Sequence, residues 1–206
     1  MLKASRHRLS HHTVKVNEVM MIKSVQQTIQ FAGSGENPTT PHQLVLKEVK
    51  PQIASQLNER WHSRLPKIHW SNITRNTHYV CYGIYFQSKV VGVAIWSSPV
   101  AQNRMKDGKT TLELRRLALG KDCPKNTASW AISTMIKLIK AKFPDIRRLI
   151  SYQDTSVHKG TIYAASNWKK ATLTKFASWT TDVRKRSPDQ ATGEKIRWEY
   201  HLPAKS

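Results

Sequence analysis

The sequence predicts an α/β (α+β) domain in which a mixed central sheet is flanked by helices. Short β-branched and aromatic runs alternate with amphipathic helical stretches along the chain. Two of these runs, joined tightly at 87–89, indicate an antiparallel hairpin over 78–97. A later strand, helix and strand over 111–152 have the length that favours a parallel pair with a right-handed crossover.

The N-terminal part is predicted to hold an arm and the first helix. Residues 1–42 are basic, carry no regular apolar pattern and end in a Gly/Pro-rich loop, so we assign them to an N-terminal arm. Residues 43–206 are assigned to a single domain. A helix is predicted over 51–62, because proline stands at its start and apolar residues recur at every fourth position. Residues 65–77 are predicted as loop.

The second half is predicted to complete the sheet. A helix over 128–143 carries an apolar stripe, is expected to be capped by Thr127 or Ser129, and ends at Pro144. The stripe consists of Ile132, Met135, Ile136 and Ile139. The remaining predicted elements are strands over 111–119, 147–152, 173–181 and 195–201 and a short helix over 160–168.

The charge balance favours a polyanionic partner. The 206 residues include 34 Lys and Arg against 13 Asp and Glu, a formal net charge of +21. Such an excess attracts nucleic acid through counterion release. A ribosomal-type protein and a basic enzyme with a small substrate are the alternatives. Residues 151–167 are neutral, because one aspartate balances one lysine, which suits a pocket that accepts a base beside a phosphate-lined groove.

Cysteine usage and the N-terminus favour the cytoplasm. Cys81 and Cys123 are too few for a disulfide framework or a metal knuckle, and Cys81 is expected in the core of a strand. The basic N-terminus lacks the apolar segment of a secretory signal, and no apolar run approaches membrane-spanning length. We therefore expect a cytoplasmic protein that does not bind membranes.

The order of elements resembles the GNAT acyltransferase superfamily. There, a loop of the form Arg/Gln-x-x-Gly-x-Gly/Ala wraps the pyrophosphate of coenzyme A. The corresponding loop here, 120–129, lacks the second and third glycines. Glu113 falls where several members keep a base, and Tyr163 falls where the general-acid tyrosine lies. Asn167 and Trp168 replace the glycine and phenylalanine that follow that tyrosine.

Four blocks in order give a more specific resemblance. They read Glu-Leu-x-Arg-Leu-Ala-Leu at 113–119, Asn-Thr-Ala-Ser-Trp at 126–130, Ser-Tyr-x-Asp at 151–154 and Gly-Thr-Ile-Tyr-x-Ala-x-Asn-Trp at 160–168. These blocks resemble the Mom DNA-modification proteins of bacteriophages. The resemblance implies conversion of adenine in duplex DNA to N6-carbamoylmethyladenine in the cytoplasm of the infected bacterium, which shields phage DNA from host restriction enzymes.

The resemblance also implies a donor site where the strand over 111–119 enters the helix. An acyl-CoA donor similar to acetyl-CoA is expected there, because the first amides of a helix attract phosphate. The predicted donor-binding residues are Leu117, Ala118, Leu119, Lys125, Asn126, Thr127, Ala128, Ser129 and Asn167. A carbamoylmethyl group is joined through its methylene, so its attachment is a net alkylation, and the sequence leaves the true donor and any metal requirement open.

Chemistry on a paired base requires flipping, stacking and proton transfer. Tyr152, Tyr163 and Trp168 are candidates for stacking, although each also fits a core position. Asp154 is a candidate base or acceptor for the N6 hydrogen, with a helix cap or a turn residue as the alternative. His158 is a candidate proton shuttle, with a solvated loop histidine as the alternative. Glu113 and Tyr163 complete the predicted catalytic set.

The predicted DNA contacts are arginines and lysines on two segments. Strand alternation predicts Glu113, Arg115 and Leu117 on one face and Arg116 on the other, so one arginine is expected to reach DNA and the other to pack or to pair with a carboxylate. Tyr152 is assigned to the same surface. The basic turn Arg184, Lys185 and Arg186 is predicted to bind phosphates.

Two other functions stay open at this stage. One is a GNAT N-acyltransferase that acts on a protein, a tRNA or a small amine. The other is a non-catalytic DNA-binding protein. The sequence also leaves the oligomeric state open, with a dimer as one option.

Overall fold

A seven-stranded mixed sheet organises the part of the chain that the computed structural model describes, residues 37–62, 65, 67–100, 102–174 and 194–203. The strands are β1 (Leu44–Glu48), β2 (Tyr79–Phe86), β3 (Lys89–Ser97), β4 (Thr111–Leu119), β5 (Arg148–Asp154), β6 (Lys169–Thr174) and β7 (Lys195–His201). Their order is β1-β2-β3-β4-β5-β7-β6. β4 and β5 pair in parallel and the other neighbours are antiparallel. The predicted fold class, hairpin and parallel pair are therefore confirmed.

Helices cover both faces of the sheet. They are α1 (Pro51–Trp61), α2 (Ser71–Thr74), α3 (Thr127–Lys142) and α4 (Thr161–Ala164). One core cluster joins α1 to Val93, Ile95 and Ala118, and we call that side of the sheet the α1 face. The other cluster joins α3 and α4 to Trp96 and Leu112, and we call that side the α3 face.

The two long helices follow their apolar spacing. In α1, Leu57 is buried, and Ile53 and Trp61 pack against the same cluster from partly buried positions. In α3, the predicted stripe of Ile132, Met135, Ile136 and Ile139 is buried, three of the four completely. The indole Nε1 of Trp96 donates to the sulfur of Met135 at 3.1 Å, which anchors the helix on the sheet. Helix α3 ends before Pro144, as predicted.

Three local predictions differ from the structure. Strand β1 has no predicted counterpart, because this edge strand buries little beyond Leu44 and shows no clear alternation. Helix α2 lies inside the stretch 65–77 that was predicted as loop. The strand predicted at 173–181 is observed as Lys169–Thr174, so it begins four residues earlier, and 175–181 lie outside the described residues. The division into an arm and a domain at residue 43 stays a prediction.

A β-bulge in β4 changes the predicted faces of that strand. The register with β3 pairs Leu114 with Trp96 and Arg116 with Ile95, so Arg115 is the extra residue. Because one residue is inserted, Arg116 lies on the same face as Glu113, and Leu117 lies on the opposite face. The prediction that Leu117 shares the face of Glu113 and that Arg116 lies on the opposite face is therefore wrong.

Truncation of α3 provides a test of the core. Ile139→Ala removes a completely buried side chain and is expected to lower the free energy of unfolding by about 2–5 kcal/mol. Leu138→Ala, at the neighbouring position with 38% of its surface exposed, is the matched control and is expected to cost about 1 kcal/mol or less. Urea unfolding followed by circular dichroism measures both, and equal losses would contradict the described helix orientation.

Candidate active site

An opening between β4 and β5 is the central feature of the site. The two strands pair only from Thr111 with Arg148 to Leu114 with Ser151. Beyond that point, β4 stays paired with β3 as far as Leu119, and β5 stays paired with β7 as far as Asp154. The strands therefore separate from each other, and the facing backbone groups of β4 are available to a ligand.

Tyr163 lies at the apex of this opening. Its hydroxyl is 2.8 Å from the Ser151 hydroxyl, which in turn donates to the carbonyl of Leu114 at 3.2 Å. Ser151 has one hydroxyl hydrogen, so Tyr163 must be the donor in the first of these bonds. Burial raises the pKa of Tyr163, although the Ser151 contact opposes this effect. The phenol is therefore protonated near neutral pH, as a general acid requires.

Aromatic packing holds Tyr163 in place. Its ring stacks on Trp198 with the centroids 5.5 Å apart, and Trp168 packs beside it at 5.7 Å. Both Tyr163 and Trp168 are buried in the core. Tyr152, by contrast, lies on the α1 face with 37% of its surface exposed. Of the three residues considered for base stacking, Tyr152 is therefore the one that a base can reach in this conformation.

The beginning of α3 presents free amide groups beside the opening. Asn126 precedes the helix with a left-handed φ of 68°, and no side chain caps the first turn. The predicted caps are wrong, because the Thr127 hydroxyl donates to Pro124 O and the Ser129 hydroxyl donates to Asn126 O. The Thr127 amide bonds to the Pro124 carbonyl at 3.3 Å, so the amides of Ala128 and Ser129 are the ones that an anion can reach.

The predicted donor-binding residues take three positions around this helix start. Leu117 and Leu119 lie on the part of β4 that has separated from β5, whereas Ala118 is buried against α1. Lys125 is exposed in the preceding loop and adds positive charge. Asn167 has a φ of 61°, a conformation in which asparagine is tolerated in place of glycine. These positions fit a phosphate-bearing donor that runs along β4 towards α3.

Glu113 is the buried acid on the α1 face. It is 8% exposed and accepts a hydrogen bond from the Val100 amide at 3.2 Å. Burial raises the pKa of Glu113, whereas the positive charges of Arg115 and Arg116 oppose the shift. Leu114 and Ser151 point to the other face, so Glu113 and Tyr163 occupy neighbouring positions on opposite faces.

Two arginines of β4 accompany this acid. Arg115 donates through Nη1 to the Ser97 hydroxyl at 3.2 Å, so its guanidinium reaches the α1 side. Arg116 donates to the carbonyl of Arg115 at 2.7 Å, and burial lowers its pKa to about 10. Arg116 therefore stays positively charged at neutral pH.

His62 is a site residue that sequence reasoning missed. It follows α1 directly, and its Nδ1 accepts a hydrogen bond from the Leu65 amide at 3.3 Å. Burial lowers the pKa of His62, and the nearby Arg116 and His158 lower it further. Arg116 and His158, which are distant from His62 in sequence, therefore lie near enough to act on its charge. A single histidine at a helix end gives no sequence signal of this kind.

Asp154 and His158 lie in the turn that follows β5. The Asp154 carboxylate accepts hydrogen bonds from the amide and the hydroxyl of Ser156, at 3.0 and 2.6 Å, so it holds the turn in place. His158 is exposed, and its backbone carbonyl accepts a hydrogen bond from Gln153. Their predicted proton-transfer roles stay predictions. The predicted DNA-binding residues Arg184, Lys185 and Arg186 lie outside the described residues.

Comparison with known proteins identifies the family. Residues 43–201 match the Mom protein family. The chain belongs to this family. It is also 30% identical over 107 residues to the methylcarbamoylase Mom of Escherichia phage Mu, a match that covers 48% of this chain and 44% of that protein. The match therefore covers less than half the length of this curated relative.

Solved structures show which fold this member of the Mom family has. The ribosomal-protein-S18-alanine N-acetyltransferase of Escherichia coli is 12% identical with a TM-score of 0.55, covering 79% of this chain and 96% of its own. An N-acetyltransferase of Staphylococcus aureus is 15% identical with a TM-score of 0.56, covering 78% and 99%. An aminoglycoside acetyltransferase in complex with coenzyme A is 11% identical with a TM-score of 0.53, covering 77% and 94%. The GNAT fold is therefore shown.

No helix in the part of the chain described by the structure is long and apolar enough to cross a membrane.

The raised pKa of Glu113 predicts a pH-dependent stability difference. A carboxyl group whose folded pKa is raised contributes stability that is present below its unfolded pKa, about 4.3, and is lost as pH rises through the folded value. Glu113→Gln removes this loss, so the variant is expected to gain stability relative to the parent protein as pH rises. Urea unfolding from pH 4 to pH 8 measures the difference.

The matched control is the same substitution at Glu59, an exposed residue of α1. It reports the general effect of removing one carboxylate from this basic chain. A difference between the parent protein and Glu113→Gln that stays constant or falls as pH rises would contradict the raised pKa.

Proposed function

We propose that the chain is a DNA-modifying transferase that converts adenine in duplex DNA to N6-carbamoylmethyladenine and so protects phage DNA from host restriction endonucleases. The observation that carries this proposal is the position of the four sequence blocks. Blocks 113–119 and 151–154 form the two separating strands, 126–130 begins α3, and 160–168 carries the tyrosine at the apex. The residues that resemble Mom proteins therefore surround one opening.

The opening also supports an acyl-CoA-like donor. Coenzyme A is present in the solved aminoglycoside acetyltransferase, which has the same fold. In this chain, the separated part of β4, the uncapped start of α3 and the positive charge of Lys125 suit an extended ligand that ends in phosphates. When bound, such a donor supplies an activated acyl group on sulfur. A product joined through a methylene needs a donor or a step beyond simple acyl transfer.

Side chains on both faces of the sheet can donate or accept the protons that the reaction moves. The protonated Tyr163 hydroxyl at the apex can give a proton to a leaving group after its O–H rotates from Ser151 towards the opening. On the α1 face, the adenine amine has to lose a proton, and Glu113, Asp154, His62 and His158 are the available acceptors. Glu113 is the best placed of these by burial, because its raised pKa makes it a stronger base than an ordinary carboxylate.

The two alternative functions predict different products. An N-acyltransferase would transfer a label from acetyl-CoA to a protein, a tRNA or a small amine. A non-catalytic DNA-binding protein would bind duplex DNA and leave every nucleoside unchanged. Mass spectrometry of nucleosides from DNA of cells that express the chain decides among the three, with cells carrying the empty vector as reference. Unmodified adenine in the presence of expressed, folded protein would reject the proposal.

Tyr163→Phe tests the general acid. The variant loses only the phenol, and Ser151 keeps its bond to Leu114, so a stability cost of about 1 kcal/mol is expected. The modification rate is expected to fall about 100-fold or more. Tyr200→Phe is the matched control, because Tyr200 packs on Trp168 in the same aromatic cluster. The measurement is modified adenine per total adenine. If Tyr163→Phe and Tyr200→Phe both modify DNA as fast as the parent protein, Tyr163 is not the general acid.

The basic turn is tested through salt dependence. Arg184→Ala combined with Lys185→Ala is expected to weaken duplex binding and to lower the slope of log K against log salt by about 2, because each lost phosphate contact reduces that slope by about 1. Fluorescence anisotropy at several salt concentrations measures it. An unchanged slope would show that this turn does not contact DNA phosphates.

A further inference from the structure

A polar cavity of about 530 Å³ lies beside the bulge of β4. Its walls come from α2 and the residues just after it, from the connection after β3, and from Arg115 of β4. The volume lies within the range of pockets that hold small organic ligands. The donor site assigned above lies along the separated part of β4 and at the start of α3, so this cavity is not part of it.

Carboxamides and arginines dominate the cavity lining. Asn72, Asn76, Gln102 and Asn103 supply four carboxamides, and Arg75 and Arg115 supply two positive charges. The NH₂ group of Asn76 is already used, because it donates to the carbonyls of Asn72 and Ile73 at 2.8 and 2.9 Å. Its remaining oxygen can accept a hydrogen bond from an amino group. No carboxylate belongs to the described lining.

This lining fits an adenine nucleotide better than the other substrate classes. Carboxamides pair with adenine because they carry a donor and an acceptor side by side, which matches the edge of that base. Guanidinium groups bind phosphate through paired N–H groups. A small cationic amine would be repelled by the two arginines, with no carboxylate in the described lining to bind it. An acidic peptide could pair with the arginines but would not need four carboxamides.

The cavity is connected to the proposed catalytic groups on two sides. Arg115 follows Leu114, the residue whose carbonyl ends the hydrogen-bonded pair of Ser151 and Tyr163. Val100, which also lines the cavity, donates its amide hydrogen to the buried Glu113. A base held here would therefore lie beside the buried acid, one residue along β4 from the Leu114 carbonyl that closes the apex.

We infer that this cavity holds the flipped target deoxyadenosine. Arg75 and Arg115 bind the phosphates on either side of it, and the carboxamides of Asn72, Gln102 and Asn103 contact the edge of the base. The inference rests on the proposed function, because it takes duplex DNA as the substrate. It adds the residues that select adenine.

Donor-free binding measurements test the cavity separately from catalysis. The first probe is a duplex with one adenine opposite an abasic site, because an unpaired base costs less to flip. The second probe has abasic sites on both strands at that position, so the two differ only by the adenine. The unaltered protein is expected to prefer the first duplex by about tenfold or more. Asn72→Leu and Asn103→Leu are expected to bring this ratio close to one and to leave binding of the second duplex unchanged.

The control variant is Gln52→Leu, which removes an exposed carboxamide from α1 and is expected to keep the full preference. Thermal unfolding confirms that each variant is folded. Variants at Asn72 and Asn103 that keep the parent preference, or a parent protein with no preference, would overturn the inference. Nucleoside mass spectrometry tests the proposed function separately. If the Asn72 and Asn103 variants modify DNA as the parent protein does, only the role of the cavity is rejected. If the parent protein prefers the adenine duplex but modifies no DNA, only the transferase function is rejected.

Discussion

The hydrogen bonds that join Tyr163, Ser151 and the Leu114 carbonyl mark the point on which the rest of the site depends. They stand where the parallel ladder between β4 and β5 stops. Without this local closure, the separated strands would leave a buried carbonyl and a buried phenol without partners, at a cost of about 1–3 kcal/mol each. The same contact therefore stabilises the branch in the sheet and holds the proposed acid beside it.

The bulge at Arg115 places charged side chains of β4 on one face of the sheet and apolar side chains on the other. Upstream of it, Glu113 lies on the α1 face; downstream, the inserted residue brings Arg116 to that same face and turns Leu117 to the other. Charged groups thus accumulate on the α1 face, beside the carboxamide-lined cavity, and the apolar edge of β4 faces α3. A regular strand would have put Arg116 into the apolar cluster, where an unpaired guanidinium is very costly.

The sequence predicted the parts of this structure that depend on local pattern. The apolar stripe of α3, the hairpin and the order of strand, helix and strand follow directly from periodicity. The bulge was missed because Arg115 and Arg116 look alike in a strand, and only pairing with β3 shows which one is extra. His62 was missed because its partners, Arg116 and His158, are far away in sequence. Edge strand β1 was missed because an exposed strand has little alternation to read.

The hydrogen bonds that begin at Tyr163 end at the backbone carbonyl of Leu114, and this limits where the phenol can obtain a proton. The Ser151 hydroxyl passes its only hydrogen to a backbone carbonyl, a group that accepts a hydrogen bond and has no proton to return. In this arrangement Ser151 has no second hydrogen to give to Tyr163. As the proposed acid, Tyr163 would therefore regain its proton from the side of the opening, from the bound substrates or from water that enters once they leave.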